Sequence, residues 1–350
     1  MKKALGIFRG FPGLGRVVAG VSIMESLRDK YGYDIKMISY LQGNKYLALR
    51  GYDELKEVTT FDYCSIGLLP TNKMGAYIHH SIKSFMPDIC IIDGEPLILQ
   101  SIKISYPNIK IVALLNPSDV DNPNNDKEAM DFFNAIYSLC DLAIVHGLRI
   151  LKKDDRYKNF ISIHTIIRQE IFEIKNFPTN NIYCVLGGGT ENVDRTFVES
   201  TIRIAELCQE IATFLPQYTI HLICSTKNIF NALRTNNKPR NLRLYDKIIP
   251  PDKYYSDASL IITRSGRNTL SELLFLRIPT ISFISGCSYR RSEQLDNVKD
   301  LGRYCVKATS LDITPQKLFE LCTNMIGLKS ENCFQCGNDK AINNILTLCD

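Results

Sequence analysis

The sequence predicts an α/β protein of two doubly wound units, and three observations carry that prediction. Strand-like and helix-like segments alternate through residues 4–146. The alternation lapses over residues 166–178, at the turn cluster Phe177-Pro178-Thr179-Asn180-Asn181, and then restarts. The length of 350 residues exceeds what one such unit needs. Alternation of this kind folds as a parallel sheet with helices on both faces.

Each element has its own signal. Residues 4–8 form the first strand, and 17–27 a helix, because Val17, Val18, Val21, Met24 and Leu27 share one helical face. Residues 34–40 are the second strand. Residues 88–93 and 110–115 are continuous apolar runs, the mark of strands buried on both faces. A helix over 126–139 and a short buried strand over 141–146 follow. After the lapse, a strand over 182–186 ends in Gly187-Gly188-Gly189-Thr190, and a helix covers 195–212. Strands over 219–224 and 242–249 precede a helical turn over 252–256. A strand, turn and helix occupy 259–276, and a strand over 280–284 comes next. Helices over 315–326 and 338–348 close the chain. The resulting division is a first domain over 1–165, a linker over 166–180, a second domain over 181–335, and a terminal helix within 336–350.

Composition narrows the function. Hydrophobic residues are 45% and charged residues 23%, an ordinary globular balance. The net charge of +5 is mild and its residues are scattered. It suits anionic substrates and loose contact with an acidic membrane surface, and argues against nucleic acid. The apolar run at 4–8 is too short for a signal-peptide core, and no stretch reaches the length of a membrane span. The expected location is the cytoplasm, with peripheral contact to the inner face of a membrane left open. Most of the twelve cysteines sit in apolar segments, where a thiol acts as a small hydrophobe. Cys333 and Cys336 form the single Cys-x-x-Cys, a weak metal or redox signal without a second pair or nearby histidines.

Residues 258–284 are the most informative stretch. An apolar strand runs into Arg264-Ser265-Gly266-Arg267-Asn268-Thr269, a helix carries Glu272, and a second apolar strand follows Pro279. Such a turn aims backbone N–H groups and the positive helix end at an anion. Two bland alternatives stand beside this: Thr269 as a plain helix N-cap, and Glu272 as a solvated first-turn acid. The segment resembles the donor-nucleotide motif of GT-B-fold glycosyltransferases, in particular the branch containing the peptidoglycan N-acetylglucosaminyltransferase (glycosyltransferase family 28 C-terminal domain) and related predicted glycosyltransferases. The resemblance is strongest over residues 182–300.

That resemblance implies two Rossmann-like domains facing across a cleft, with the terminal helix packing back on the first. It implies a diphosphate facing Gly187, Gly188, Gly189 and Thr190, a base read by backbone groups of Ile248 and Ile249, and phosphate contacts from Ser265, Gly266, Arg267, Asn268 and Thr269. Glu272 would accept from ribose hydroxyls. Gln294 resembles the glutamine that meets donor-sugar hydroxyls, although Glu293 and Val298 depart from the family pattern. Arg290 and Arg291 lie just upstream, and Arg291 is the candidate for the diphosphate in the absence of a metal.

The first domain departs further. Relatives carry Gly-x-Gly-His after the first strand. Here Gly13-Leu14-Gly15 is followed by Arg16, which cannot act as a base. Gly13, Gly15 and Arg16 are then candidates for acceptor binding. Asp93-Gly94-Glu95-Pro96 ends a buried strand at the ligand-facing edge of a parallel sheet. Glu95 is the candidate proton acceptor with Asp93 orienting it, and helix capping is the bland alternative. His146 is a reserve candidate, while His79 and His80 are read as surface residues.

The expectation is an inverting, metal-independent transferase. It would move a sugar from a nucleoside-diphosphate sugar, most simply UDP-linked, to a small-molecule, lipid-linked or peptide acceptor. No cofactor is expected beyond that co-substrate. The oligomeric state is open. A nucleotide-sugar hydrolase or epimerase and a catalytically silent binding subunit stay open as alternatives. A nicotinamide dehydrogenase is disfavoured, because Ser39-Tyr40 stand where the ribose-binding acid would end the second strand.

Overall fold

The computed structural model describes residues 1–10, 13–53, 72–187, 195–224, 227–233, 238–247, 249–284, 288–299 and 301–349. The chain divides into two compact units, Met1–Gln169 with Cys336–Asp350, and Glu170–Gln335. Each carries a six-stranded, wholly parallel sheet.

In the first unit the strands are β1 (Lys3–Phe8), β2 (Asp34–Ile38), β3 (Ile89–Asp93), β4 (Lys110–Leu115), β5 (Leu142–Gly147) and β6 (Phe160–His164), in the order β2-β1-β3-β4-β5-β6. Their side chains divide between two apolar layers at the two-residue period of a strand. Ile89, Ile91, Val112 and Leu114 enter one layer. Cys90, Ile92, Ile111 and Ala113 enter the other. The helix Gly15–Tyr31 covers the first layer with Val17, Val21, Met24 and Leu27. The terminal helix Asn338–Cys349 shares that layer through Ala341, Ile342 and Ile345. Its entry is pinned by Asn338, whose Nδ2 donates to Ser22 Oγ at 3.1 Å and to Ile167 O at 2.9 Å, and whose Oδ1 accepts from the Ile167 N–H at 3.0 Å.

In the second unit the strands are β7 (Asn181–Val185), β8 (Thr219–Ile223), β9 (Leu242–Tyr245), β10 (Ala258–Arg264), β11 (Thr280–Ile284) and β12 (Val306–Ser310), in the order β12-β11-β10-β7-β8-β9. All seven residues of β10 are buried. Helices Arg195–Phe214 and Pro315–Met325 pack on one face around Cys208, Ile211, Leu318 and Cys322.

Periodicity located most of these elements and missed others. Ser162 and His164 interrupt the apolar residues of β6, and β12 is mostly polar, so neither shows a continuous apolar run. The strand expected over 242–249 stops at Tyr245. Residues 166–180 divide at Gln169/Glu170. Beyond that point the chain is tied to the second unit, with Asn176 Nδ2 donating to Tyr255 O at 2.7 Å and the Phe177 N–H to Ser256 O at 2.7 Å.

Candidate functional site

In the second unit the chain steps from β7 outward to β8 and β9, then returns to the other side of β7 as β10. A parallel sheet opens a ligand crevice beyond the carboxyl ends of its strands at such a reversal. Val185 of β7 pairs with Thr263 of β10. Two residues past each of these come Gly187 and Ser265, so both turns leave the sheet at the same level. Gly187 has φ +104, a conformation that glycine adopts without strain. Gly188, Gly189, Thr190 and Ile248 lie outside the described residues.

The helix after β10 spans Arg267–Leu276, with Gly266 as N-cap at φ −79 and ψ 132 and no side-chain cap among the described residues. Thr269 is therefore inside the helix and is not its N-cap. The start of the helix keeps the polarity that favours an anion. Glu272 sits in the second turn and is 1% exposed. Its Oε2 accepts from the buried Tyr255 hydroxyl at 3.1 Å, so it is not a solvated first-turn acid.

The remaining residues separate by exposure. Ser265 is wholly buried: its N–H and hydroxyl both donate to Phe283 O at 3.0 Å, and its Oγ lies 2.7 Å from Ser282 Oγ. The expectation that Ser265 donates to a ligand is corrected, because its donors fasten β10 to β11. Arg267 is largely buried, with Nε donating to Asn268 Oδ1 at 3.2 Å. Asn268, Thr269 and Ile249 are half-buried, Gly266 and Arg291 are exposed, and Gln294 is buried. Gln294 and Arg291 lie on the helix Ser288–Val298, which is tied to the turn after β10 by Asn297 Nδ2 donating to Ser265 O at 3.0 Å.

In the first unit the reversal falls between β1 and β3, where Phe8 pairs with Asp93. Five chain segments bring polar side chains to that edge. Arg9 follows β1, Arg16 lies in the first turn of Gly15–Tyr31, and Tyr40 follows β2. Asp93, Gly94 and Glu95 end β3, and Asp119 belongs to the turn Pro117–Val120 after β4. Arg16 donates through Nη1 to Asp93 Oδ1 at 2.8 Å and through Nη2 to Asp119 Oδ2 at 2.5 Å. Burial opposes the Arg16 charge, but Asp119 and Asp93 outweigh it and hold the guanidinium well above its ordinary range. Gly94, at φ +83, permits this packing: a Cβ there would stand 2.7 Å from Arg16 Cδ and 2.9 Å from Arg9 Cβ.

Glu95 is wholly buried. It occupies the N-cap position of the helix Pro96–Ser105, but its side chain does not cap that helix. Its Oε1 accepts from the Tyr40 hydroxyl and lies 3.6 Å from Arg9 Nε, while Oε2 has no hydrogen-bond partner among the described residues. Burial pushes its pKa up to about 7, against the pull of Arg9 and the Tyr40 hydrogen bond. Asp93 was expected to orient Glu95. Its ion pair instead goes to Arg16, and Tyr40 and Arg9 hold Glu95. Gly13 is half-buried, with open space where a Cβ would stand, and Gly15 is exposed.

His146 and His79 are held by hydrogen bonds within the first unit. His146 is wholly buried and its Nδ1 accepts from the Ile166 N–H at 3.3 Å. His79 is half-buried between Tyr106 Oη at 3.2 Å and Ser101 Oγ at 3.1 Å, and His80 is exposed. Cys333 is exposed and Cys336 half-buried, both free thiols. Among the described residues no group of three or more His, Cys, Asp or Glu is placed to hold a metal ion, and no helix is long and apolar enough to cross a membrane.

Sequence reasoning missed Arg9, Tyr40, Asp119 and Tyr255. A positional signal was available for three of them. Arg9 directly follows a strand, and Tyr40 and Asp119 come soon after one, at the carboxyl edge where ligands bind. Tyr255 gives no such signal, because it meets Glu272 from a short helix, Asp252–Tyr255.

Comparison with known proteins places this geometry. Residues 184–334 match the glycosyltransferase family 28 C-terminal domain. No curated protein matches the chain. Among solved structures, the chain is similar to Acinetobacter baumannii MurG, at 14% identity and TM-score 0.58 over 99% of this chain and 100% of that one. It is similar to the glycosyltransferase SnogD from Streptomyces nogalater, at 14% identity and TM-score 0.60 over 100% of both. It is also similar to the UDP-GlcNAc 2-epimerase from Neisseria meningitidis bound to UDP-GlcNAc, at 14% identity and TM-score 0.63 over 99% and 100%. The match to the family 28 C-terminal domain over residues 184–334, in a chain with the two Rossmann-like units of the GT-B fold, supports a glycosyltransferase.

Proposed function

We propose that the protein is an inverting, metal-independent transferase that takes a sugar from a nucleoside-diphosphate sugar, with UDP as the carrier. The observation that carries this is the family 28 match spanning both turns at the sheet reversal of the second unit. There the diphosphate would meet the amides of Gly187 and of the first turn of Arg267–Leu276, seated against Gly266, whose own N–H donates to Arg264 O at 2.7 Å, and flanked by Asn268 and Thr269. Glu272 would accept from the ribose hydroxyls in place of, or together with, the Tyr255 hydroxyl. Gln294 and Arg291 would serve the sugar and the leaving diphosphate. The acceptor would bind at the β1/β3 edge of the first unit. Its hydroxyl loses a proton to Glu95 Oε2 and its oxygen bonds to the anomeric carbon. The bond from that carbon to the diphosphate breaks with inversion, and the nucleoside diphosphate leaves with the electron pair. Glu95 is enclosed, so the hydroxyl reaches Oε2 only when a neighbour moves. Of its two bonded partners, Arg9 keeps the more solvent contact, with 13% of its side chain exposed.

Thermal denaturation with a panel of nucleotides and nucleotide sugars tests the donor half, because a ligand that binds the folded state raises the melting temperature. UDP and UDP-sugars should raise it more than adenine or guanine nucleotides. No shift with any of them would overturn the reading. One observation keeps a second reading in view: Arg16 is held by two carboxylates at the position where related transferases carry a histidine. An epimerase or hydrolase would alter UDP-GlcNAc in water alone, with no acceptor present, and product analysis separates the two.

A further inference from the structure

We infer that Tyr40 is a positioning residue for Glu95: its hydroxyl, with Arg9, engages Oε1 and so leaves Oε2 as the oxygen presented for proton transfer. The inference rests on the reading of Glu95 as proton acceptor. It stands on three features of the first unit. Both polar partners of Glu95 converge on the same oxygen, and Oε2 has no partner among the described residues. Tyr40 is itself fixed by its backbone. Gly10 lies so close to the Tyr40 carbonyl that a Cβ at Gly10 would overlap it, and the adjacent Ser39 Oγ donates to Phe8 O at 2.8 Å. The main chain of Glu95 is held from the other side by Leu99, whose N–H donates to the Glu95 backbone carbonyl at 3.0 Å and starts the helix Pro96–Ser105. The side chain thus has one strong donor, Tyr40, on a rigid seat.

A phenol that donates to a carboxylate favours its charged form. Arg9 acts in the same direction from the end of β1, and Arg16 from the helix Gly15–Tyr31. Asp93 on β3, Asp119 after β4 and Tyr137 are the other titratable groups at this edge among the described residues, and Arg16 bonds to both aspartates, its single charge offsetting one of their two. Removing the phenol leaves burial less opposed, so Glu95 should take up its proton at higher pH.

The test compares wild type, Tyr40→Phe, Glu95→Gln and the double variant, with two readouts. The first is the melting temperature from pH 4 to 9. The difference between Tyr40→Phe and the double variant should step at a pH about one unit above the step between wild type and Glu95→Gln. The second is release of UDP from UDP-N-acetylglucosamine as the probe. Tyr40→Phe should move the acidic limb of kcat upward by a similar amount with KM little changed. A tyrosine that only packs would lower the melting temperature and leave both midpoints in place, and that result overturns the inference. Unaltered UDP release in Glu95→Gln would instead overturn the proton-acceptor reading, whatever Tyr40 does. Should the probe not turn over, the stability midpoint decides alone. Should Tyr40→Phe fail to fold, Arg9→Gln removes the other partner of Oε1 and must shift the same midpoint upward.

Discussion

The two sheet reversals hold opposite kinds of chemistry. At the β7/β10 edge the features that suit a ligand are largely main-chain: a glycine at positive φ, a helix start with no side-chain cap among the described residues, and one buried acid a turn and a half along. At the β1/β3 edge the means are side chains: two arginines, three carboxylates and a phenol, assembled from five segments and mostly bonded to one another. The difference teaches how each half can be disabled. The first edge can lose affinity through changes that barely touch stability. The second couples function to stability, because Asp93, Glu95 and Tyr40 are buried and the arginines and Asp119 are bonded to them or to one another.

The largest effect should come from Glu95→Gln. A general base contributes on the order of 10²–10⁴-fold to rate, so turnover should fall by at least about 100-fold while UDP affinity stays unchanged. Equal losses in both would place Glu95 in the scaffold alone. The same variant exposes the coupling to stability. Burial raises the Glu95 value from 4.5 to about 7, so the fold favours the protonated carboxyl. Stability from that proton is fully present below the unfolded value and is lost as the pH rises through the folded one. Glu95→Gln, permanently neutral, should match wild type near pH 4 and exceed it at pH 8 by on the order of 3 kcal/mol. Denaturant unfolding at the two pH values reads this directly. A difference that does not change between them would show that burial does not govern the group.

Glu272→Gln tests the other edge. Its loss should weaken UDP binding by about 1–3 kcal/mol through the ribose contact, with turnover at saturating donor altered much less. Calorimetry on the purified variant decides it, and unchanged affinity would leave Glu272 only its bond to Tyr255.

The same contrast explains what was legible in the sequence. The β7/β10 edge could be read because its parts are local: Ser265 to Glu272 follow one another, and a strand before them and an apolar run after them fix their setting. The resemblance built on that run agrees with the family 28 match over residues 184–334. Even there, local reading misjudged individual side chains. Ser265 looked like a ligand donor, yet the pairing of β10 with β11 claims its N–H and hydroxyl. The β1/β3 edge was legible only in part. Glu95 and Asp93 stood out at a strand end, but Arg9, Tyr40 and Asp119 are separated from them by 24 to 86 positions of chain, and only sheet order brings them together. Arg16 was correctly denied a base's role, because an arginine keeps its proton, yet nothing in the sequence marks Asp93 and Asp119 as its partners.

The smallest effects sharpen the comparison most, because they set two glycines against each other. Gly94 has φ +83 and arginine side chains within 3 Å of where a Cβ would stand. Gly94→Ala should cost roughly 1–3 kcal/mol of stability and reduce turnover with it. Gly266 has φ −79 and ψ 132, ordinary for any residue, and nothing within 4 Å of an added Cβ. Gly266→Ala should therefore change stability by no more than about 0.5 kcal/mol. If the diphosphate seats against that turn, the added methyl group must nevertheless weaken UDP binding, since the empty space is the ligand's own. Denaturation and calorimetry on the two variants separate these outcomes. A Gly266→Ala variant that binds UDP as tightly as wild type would move the diphosphate away from the start of Arg267–Leu276 and toward the turn that follows β7.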